Sequence, residues 1–210
     1  CKNPYYCELT GLYWAWKNLE ADYIGLVHYR RYFRGRGKGY DFDRIMKEAE
    51  WKRVLKNTEI VLPKKRHYVI ETLYSHYAHT HYGEHLDAAR RILERMCPEY
   101  LEAFDKVMKQ RSGHMFNMMV MKQEKLKDYC GWLFPILEKL EDEIDYRQYD
   151  DYQARMFGRI SELLLNVWLE KNQYSYREKP MITVERIKWG KKVCSFLKAK
   201  YGGEKYESSF

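Results

Sequence analysis

A short apolar strand that ends in a dense group of cations is the feature that most constrains the fold of this chain. Tyr23–Val27 is an apolar run that predicts a buried strand, and His28, Arg30 and Arg31 follow it at once. In open α/β sheets, ligands bind beyond the carboxyl ends of the strands. Guanidinium groups match phosphate oxygens in paired geometry, so this strand end predicts a site for a phosphorylated ligand. A solvated loop or a docking patch is the alternative explanation.

A second predicted strand ends in the same way. Glu59–Pro63 is a short apolar run, and the basic run Lys64–His67 follows it. Two strands that both end in basic residues are consistent with one shared anion site. The candidate anion-binding residues are His28, Arg30, Arg31, Lys65 and Arg66.

Helical periodicity dominates the rest of the sequence. A third strand is predicted at Ser112–Met121, apolar on both faces and therefore central in its sheet. Pro135 should bend or divide the longest helix. Three short strands among many helices predict an α/β fold. The predicted helices are Tyr6–Asn18, Asp41–Lys56, Glu71–Tyr82, Glu84–Met96, Glu99–Gln110, Gln123–Ile144 and Tyr149–Lys171.

The composition limits the partners and the compartment. A net charge of +8 indicates acidic partners such as phosphates, nucleic acid or an anionic membrane surface. Five scattered cysteines without a C-x-x-C pair favour reduced thiols and a cytoplasmic location. No apolar run approaches the ~20 residues that span a bilayer. The basic tail, residues 186–210, is expected either to touch the inner face of the cell membrane or to be a plain solvated helix.

Four segments together resemble one family, the domain of unknown function 4422. They are Cys7–Asn18, Gly25–Phe33, Ile60–Arg66 and Asp150–Gly158. The family is associated with bacterial capsule, exopolysaccharide and lipopolysaccharide O-chain loci, and its members are taken to be glycosyltransferases. The resemblance implies transfer of a hexose, galactose or galactofuranose, from a UDP-sugar to a surface-polysaccharide precursor, with a glycan or lipid-linked glycan as acceptor.

The resemblance also implies the architecture. It predicts a helix-rich, GT-A-like (Rossmann-like) glycosyltransferase domain over residues 1–175 and a basic C-terminal extension over residues 176–210. Family members usually begin with a further strand and helix, so the domain is expected to lack its first N-terminal strand.

The expected chemistry is independent of a metal ion. In many GT-A enzymes the comparable strand ends in Asp-x-Asp, which holds a divalent metal, whereas here it ends in His28-Tyr29-Arg30. Fixed cations can stabilise the charge that develops on a leaving diphosphate. The sequence therefore predicts that His28, Arg30 and Arg31, with Lys65 and Arg66, bind the UDP-sugar diphosphate. A required cofactor is not predicted, and a divalent metal is possible but not favoured.

Asp150 and Asp151 are the candidate catalytic residues. Glycosyl transfer with inversion needs a group that takes the proton of the acceptor hydroxyl. Both residues lie in the family-like segment before a predicted helix. One of them could instead cap that helix.

Candidate acceptor-binding residues come from three parts of the chain. Glu8 and Thr10 lie on the first predicted helix, and Asn117 interrupts the third strand, where a buried amide needs a partner. Arg155 and Glu162 follow at near-helical spacing with Arg159 between them, so an intrahelical salt bridge is the alternative for this group. The set is Glu8, Thr10, Asn117, Arg155 and Glu162.

Other functions compete with transfer. His76, His79, His81 and His85 invite a zinc hypothesis, but no recognised ligand pattern completes the set, so no metal ligand is predicted. Positive charge with interleaved aromatic residues could indicate a nucleic-acid-binding module, although no recognised motif is present and nucleic acid is not the predicted partner. A non-catalytic sugar-binding domain is a further alternative.

Overall fold

The molecule is described by a computed structural model, which covers residues 2–184. Within these residues, short strands form one four-stranded sheet and two two-stranded sheets. The strands are β1 (Tyr23–Leu26), β2 (Arg31–Phe33), β3 (Ile60–Pro63), β4 (Arg66–His67), β5 (Ser112–Gly113), β6 (Met119–Lys122), β7 (Arg177–Lys179) and β8 (Met181–Thr183).

The larger sheet has the strand order β1-β6-β3-β7. The central strand β6 runs antiparallel to both β1 and β3, and β3 pairs in parallel with β7. The two small sheets pair β2 with β8 and β4 with β5, both antiparallel.

Helices cover the sheet and supply most of the core. The α-helices are α1 (Asn3–Tyr6), α2 (Leu9–Asn18), α3 (Glu48–Leu55), α4 (Leu73–Thr80), α5 (Gly83–Met96), α6 (Leu101–Met108), α7 (Gln123–Glu143) and α8 (Met156–Asn172). Single turns of 3₁₀-helix lie at Asp41–Arg44, Pro98–Tyr100, Tyr146–Gln148 and Gln153–Arg155.

Alternation along the central strands divides the core in two. In β3, Ile60 and Leu62 are buried in the larger apolar cluster, whereas Val61 lies in a smaller one. In β6, Met121 is buried in the larger cluster and Val120 in the smaller one. Because successive strand residues point to opposite faces, both faces of the sheet are covered. This explains why both strands read as continuous apolar runs.

Several predicted elements differ from the structure. The predicted helix Tyr149–Lys171 becomes α-helical only at Met156, after the 3₁₀ turn Gln153–Arg155. The expected strand Ser112–Met121 is two short strands separated by a turn, because Phe116 and Asn117 have positive φ angles of 74° and 50° that no strand accommodates. The expected helix Tyr6–Asn18 is broken at Cys7, where φ is 51°. The expected helix Asp41–Lys56 begins as a 3₁₀ turn, and its α-helical part is α3.

The longest helix and the last described strands complete the fold. Pro135 does not divide α7, which continues from Gln123 to Glu143. Residues 177–183, which the sequence assigns to the basic extension, form β7 and β8 and pair with β3 and β2. None of the helices in residues 2–184 is long and apolar enough to cross a membrane. The predicted membrane-contacting tail, 186–210, lies outside the described residues.

Candidate functional site

A cavity of about 550 Å³ lies where α2, the loop after β1, the β4–α4 segment and α8 come together. Its volume is in the range of small-molecule sites. Of the residues predicted from sequence, six line it: Glu8, His28, Arg31, Arg66, Arg155 and Glu162. The structure therefore brings residues from both basic strand ends, from the first helix and from α8 into one space.

Arg31 is the most enclosed of the lining cations. Only 8% of its surface is exposed. Its guanidinium stacks on the Phe116 ring at 4.3 Å, and Nη1 lies 3.4 Å from Nδ1 of His28. Burial, with the neighbouring charge of Arg30, lowers the pKa of Arg31. A desolvated cation of this kind gains more from a bound anion than a hydrated one does.

Two further walls carry guanidinium groups. Arg66, exposed in β4, lies 4.9 Å from the Tyr68 ring. Arg155 and Arg159 come from the start of α8, one helical turn apart. Burial lowers the pKa of Arg159, but Tyr152 and the nearby carboxylates raise it by more. The net pKa of Arg159 is therefore raised. The cavity therefore has cations on opposing sides.

The buried carboxyl group of the cavity belongs to Glu162. Its surface is 6% exposed, and it accepts a hydrogen bond from the backbone N–H of Phe116. Burial raises its pKa, the attraction of Arg159 lowers it, and the repulsion of Glu8 raises it further, with a net upward shift. A carboxyl group with a raised pKa in a cavity is a candidate acid–base residue.

Asn117 supports the site from behind. It is fully buried and does not line the cavity. Its Nδ2 donates to Oε1 of Glu8 and to the Gly158 carbonyl, each at 2.9 Å, and its Oδ1 lies 2.8 Å from the Ser161 hydroxyl. Neighbouring protein groups therefore satisfy the buried Asn117 amide.

Arg30, Lys65 and Thr10 also lie outside the cavity lining. Arg30 points its guanidinium toward the Tyr29 ring, at 5.3 Å. Lys65 lines a separate cavity of about 170 Å³. The buried Thr10 hydroxyl makes no hydrogen bond within the described part of the chain.

Asp150 and Asp151 are not part of the cavity either. Oδ1 of Asp150 accepts hydrogen bonds from the backbone N–H groups of Tyr152 and Gln153, at 2.8 and 2.9 Å. This is the contact of a capping side chain. Asp151 is exposed. The geometry thus favours the capping alternative for Asp150 and gives neither carboxylate a place at the cavity.

The four clustered histidines contact three different groups: His76 and His79 share Glu71, and the other two have a partner each. Nδ1 of His76 and Nδ1 of His79 contact the two carboxylate oxygens of the buried Glu71, at 2.8 and 2.6 Å. His81 contacts Gln153 and His85 contacts Tyr77. Among residues 2–184, no group of three or more His, Cys, Asp or Glu side chains is placed to hold a metal ion.

Some lining residues were outside the predicted set. Arg159 was indicated by its near-helical spacing with Arg155 and Glu162. Arg159 and Glu162 line the cavity from α8, and Arg155 lines it from the residue just before that helix. His76, His81 and Tyr152 also line the cavity. The sequence marked the two histidines only as members of a histidine cluster, and nothing in the local sequence distinguishes Tyr152.

Comparison with known proteins gives the site a context. The fold is similar to the apo structure of the bifunctional glycosyltransferase WbbM, with a TM-score of 0.79 and 32% identity. The match covers 88% of this chain and 37% of that chain, so this chain spans just over a third of WbbM. The similarity confirms the predicted helix-rich α/β class and is consistent with a GT-A-like fold. No curated protein matches. A family model described as a domain of unknown function, DUF4422, matches residues 1–173, and the chain belongs to this family.

Proposed function

We propose that this chain is a glycosyltransferase that moves a hexose, galactose or galactofuranose, from a UDP-sugar to a surface-polysaccharide precursor. The observation that carries the proposal is the cavity, in which guanidinium groups surround a buried carboxyl group. Similarity to a structure described as a glycosyltransferase supports the reaction class.

The arginines of the cavity would bind the donor diphosphate. Arg31 is held on the Phe116 ring and is already buried. Its side chain therefore loses little conformational freedom when an anion binds. Arg66 approaches from the end of the neighbouring strand segment, and Arg155 and Arg159 approach from α8. As the bond between the sugar and the diphosphate breaks, the leaving UDP gains negative charge, which preorganised cations stabilise. A divalent metal is therefore not required in this proposal.

The cavity carboxylates would handle the acceptor proton. The acceptor hydroxyl must lose its proton as it attacks the sugar. Glu8 and Glu162 line the cavity, whereas Asp150 and Asp151 do not. In this proposal Glu8 and Glu162 therefore take the acid–base role that the sequence assigned to Asp150 and Asp151. The acceptor is a glycan or lipid-linked glycan, met at the cytoplasmic face of the membrane.

Nucleotide binding and turnover test the proposal together. Thermal unfolding is measured with UDP-, GDP- and CMP-sugars, since a ligand that binds the native state raises the midpoint. UDP-sugars alone are expected to stabilise the chain, and Arg31→Gln should abolish the shift. Stabilisation by none of these nucleotides would contradict the donor assignment.

Transfer is then measured by release of UDP in the presence of candidate glycan acceptors. Binding without release of UDP would favour the non-catalytic sugar-binding module. Steeply salt-dependent binding of oligonucleotides would favour the nucleic-acid module. Loss of transfer in EDTA with recovery in Mn²⁺ would overturn metal independence.

A further inference from the structure

The turn at Phe116 and Asn117 contacts both cavity carboxylates. The Asn117 amide donates to Oε1 of Glu8 at 2.9 Å, and the Phe116 backbone N–H donates to the Glu162 carboxylate. The Phe116 ring also carries the Arg31 guanidinium. Two neighbouring residues thus contact the acidic and the basic groups of the site.

The backbone of this turn adopts an energetically unfavourable conformation. Phe116 and Asn117 both have left-handed φ angles, a conformation that is uncommon outside glycine and unusual for a bulky residue. Such a conformation persists only where the surroundings hold it. Here the surroundings are the hydrogen bonds of Asn117, whose amide oxygen and nitrogen all have partners on α8 or on Glu8.

The two carboxylates have different environments. Glu162 is 6% exposed, and Glu8 is half-buried with a side-chain amide donor on one oxygen. An amide N–H donor stabilises a charged carboxylate, and burial without full compensation disfavours one.

We propose that the Phe116-Asn117 turn is a positioning element that holds Glu8 and Glu162 in place as the two carboxyl groups of the site, with Glu8 placed to take the proton of the acceptor hydroxyl. The inference rests on the proposed transferase function. The acceptor O–H bond breaks as the new O–C bond to the sugar forms, and its proton passes to Glu8. The bond between the sugar and the diphosphate breaks at the same time, and its electron pair leaves with UDP.

Several other groups face Glu162 and belong to the same balance. Arg159 and Arg66 favour its charged form, as does the Phe116 N–H, and Glu8 opposes it. Further groups interact with it electrostatically: Arg31, Cys7, Tyr77 and Tyr152.

The protonation state is tested without substrate by infrared spectroscopy. A protonated carboxyl band that persists above the ordinary glutamate pKa is expected in the protein, lost in Glu162→Gln and retained in Glu8→Gln. Absence of that band, or its loss in Glu8→Gln alone, would overturn the assignment. Because this measurement needs no turnover, its failure is separate from failure of the transferase proposal.

Kinetics then test the division of roles. Glu8→Gln is expected to lower kcat by about 100-fold or more, the usual effect of losing a general base. Glu162→Gln, which imitates the protonated acid, is expected to lose less than about 10-fold in kcat and to alter the pH profile. The reverse ranking would overturn the assignment.

Asn117→Gly tests the positioning role. Glycine adopts the left-handed backbone without strain, so the turn can form without the amide. We expect kcat to fall roughly 10-fold, with KM for the donor little changed. The matched control is Asn172→Ala, which removes an amide that contacts Tyr100 and Trp168 away from the cavity. Equal kinetic effects of the two variants would contradict a positioning role for Asn117.

Discussion

The guanidinium of Arg31 lies 4.3 Å from the centre of the Phe116 ring, so an enclosed cation of the cavity rests on the turn that contacts its carboxylates. The sequence predicts that both Arg30 and Arg31 bind the diphosphate, but in the structure Arg31 lines the cavity and Arg30 does not. Substitutions of the two arginines are therefore expected to affect ligand binding differently.

Arg31→Gln is expected to weaken UDP binding by about 10- to 100-fold, because a charge-assisted hydrogen bond contributes roughly 1.5–3 kcal/mol. Arg30→Gln should weaken it much less. Calorimetric titration of UDP into the two variants and the unmodified protein measures the difference. Equal losses would place both arginines on the ligand.

Glu162→Gln is expected to change how stability depends on pH. The pKa of Glu162 is raised by burial. Between the ordinary glutamate pKa, about 4.3, and the raised value, the folded state holds a proton that the unfolded state has lost. Stability of the unmodified protein therefore falls as pH rises through this window, and the variant lacks that loss.

Urea unfolding at pH 5 and pH 8 measures this effect. The free energy of unfolding of Glu162→Gln, relative to the unmodified protein, should rise with pH. The exposed Glu94 offers the control, since Glu94→Gln should show little change. A flat difference for Glu162→Gln would contradict the burial argument.

The buried His81 is expected to make the protein less stable in acid. Burial lowers its pKa to about 3, and its Nδ1 lies 2.7 Å from Oε1 of Gln153. The unfolded state binds a proton near pH 6.5 and the folded state does not, so this contribution is lost as pH falls from 6.5 toward 3. Each pH unit in that window costs about 1.4 kcal/mol.

His81→Gln should remove this part of the acid sensitivity. The free energy of unfolding of the unmodified protein should fall by about 1.4 kcal/mol more than that of the variant between pH 7.5 and 5.5. The exposed His67 is the control position, and His67→Gln should leave the pH dependence unchanged. Identical slopes for the protein and His81→Gln would show that folding does not shift the pKa of His81.

Asp150→Ala should destabilise the fold by about 1 kcal/mol, the usual cost of removing a capping side chain. Its carboxylate accepts two backbone N–H groups, whereas Asp151 is exposed and Asp151→Ala should have little effect. Urea unfolding measures both. A large loss of kcat at unchanged stability would instead support the catalytic hypothesis for Asp150.

Local pattern predicted the parts of the fold that depend on neighbours in sequence. The apolar runs of β1 and β3 lie within one residue of their expected ends. Arg159 and Glu162 share the cavity face of α8 because helical spacing places them there, and Arg155 reaches the same cavity from the turn before the helix. Both basic strand ends reach the cavity through His28, Arg31 and Arg66, since each strand is short and its charges begin where it stops.

The turn at Asn117 could not be read from the sequence. Phe116 and Asn117 lie in a run of apolar residues with the composition of a strand, and neither is a glycine that would signal a left-handed backbone. Their conformation depends on the bond between Asn117 and Glu8, which lie 109 positions apart. For Asp150 the local pattern allowed either role, and the structure favours capping because Asp150 is absent from the cavity lining and accepts two backbone N–H groups.

Strands β7 and β8 have a mechanical consequence. A seven-residue stretch, 177–183, pairs at one end with β3, which leads to Arg66, and at the other with β2, which begins at Arg31. Without that stretch, β3 would keep its other partner β6, whereas β2 would lose its strand partner β8. Under the proposed function, a molecule that displaced β8 would therefore act on Arg31 from outside the cavity.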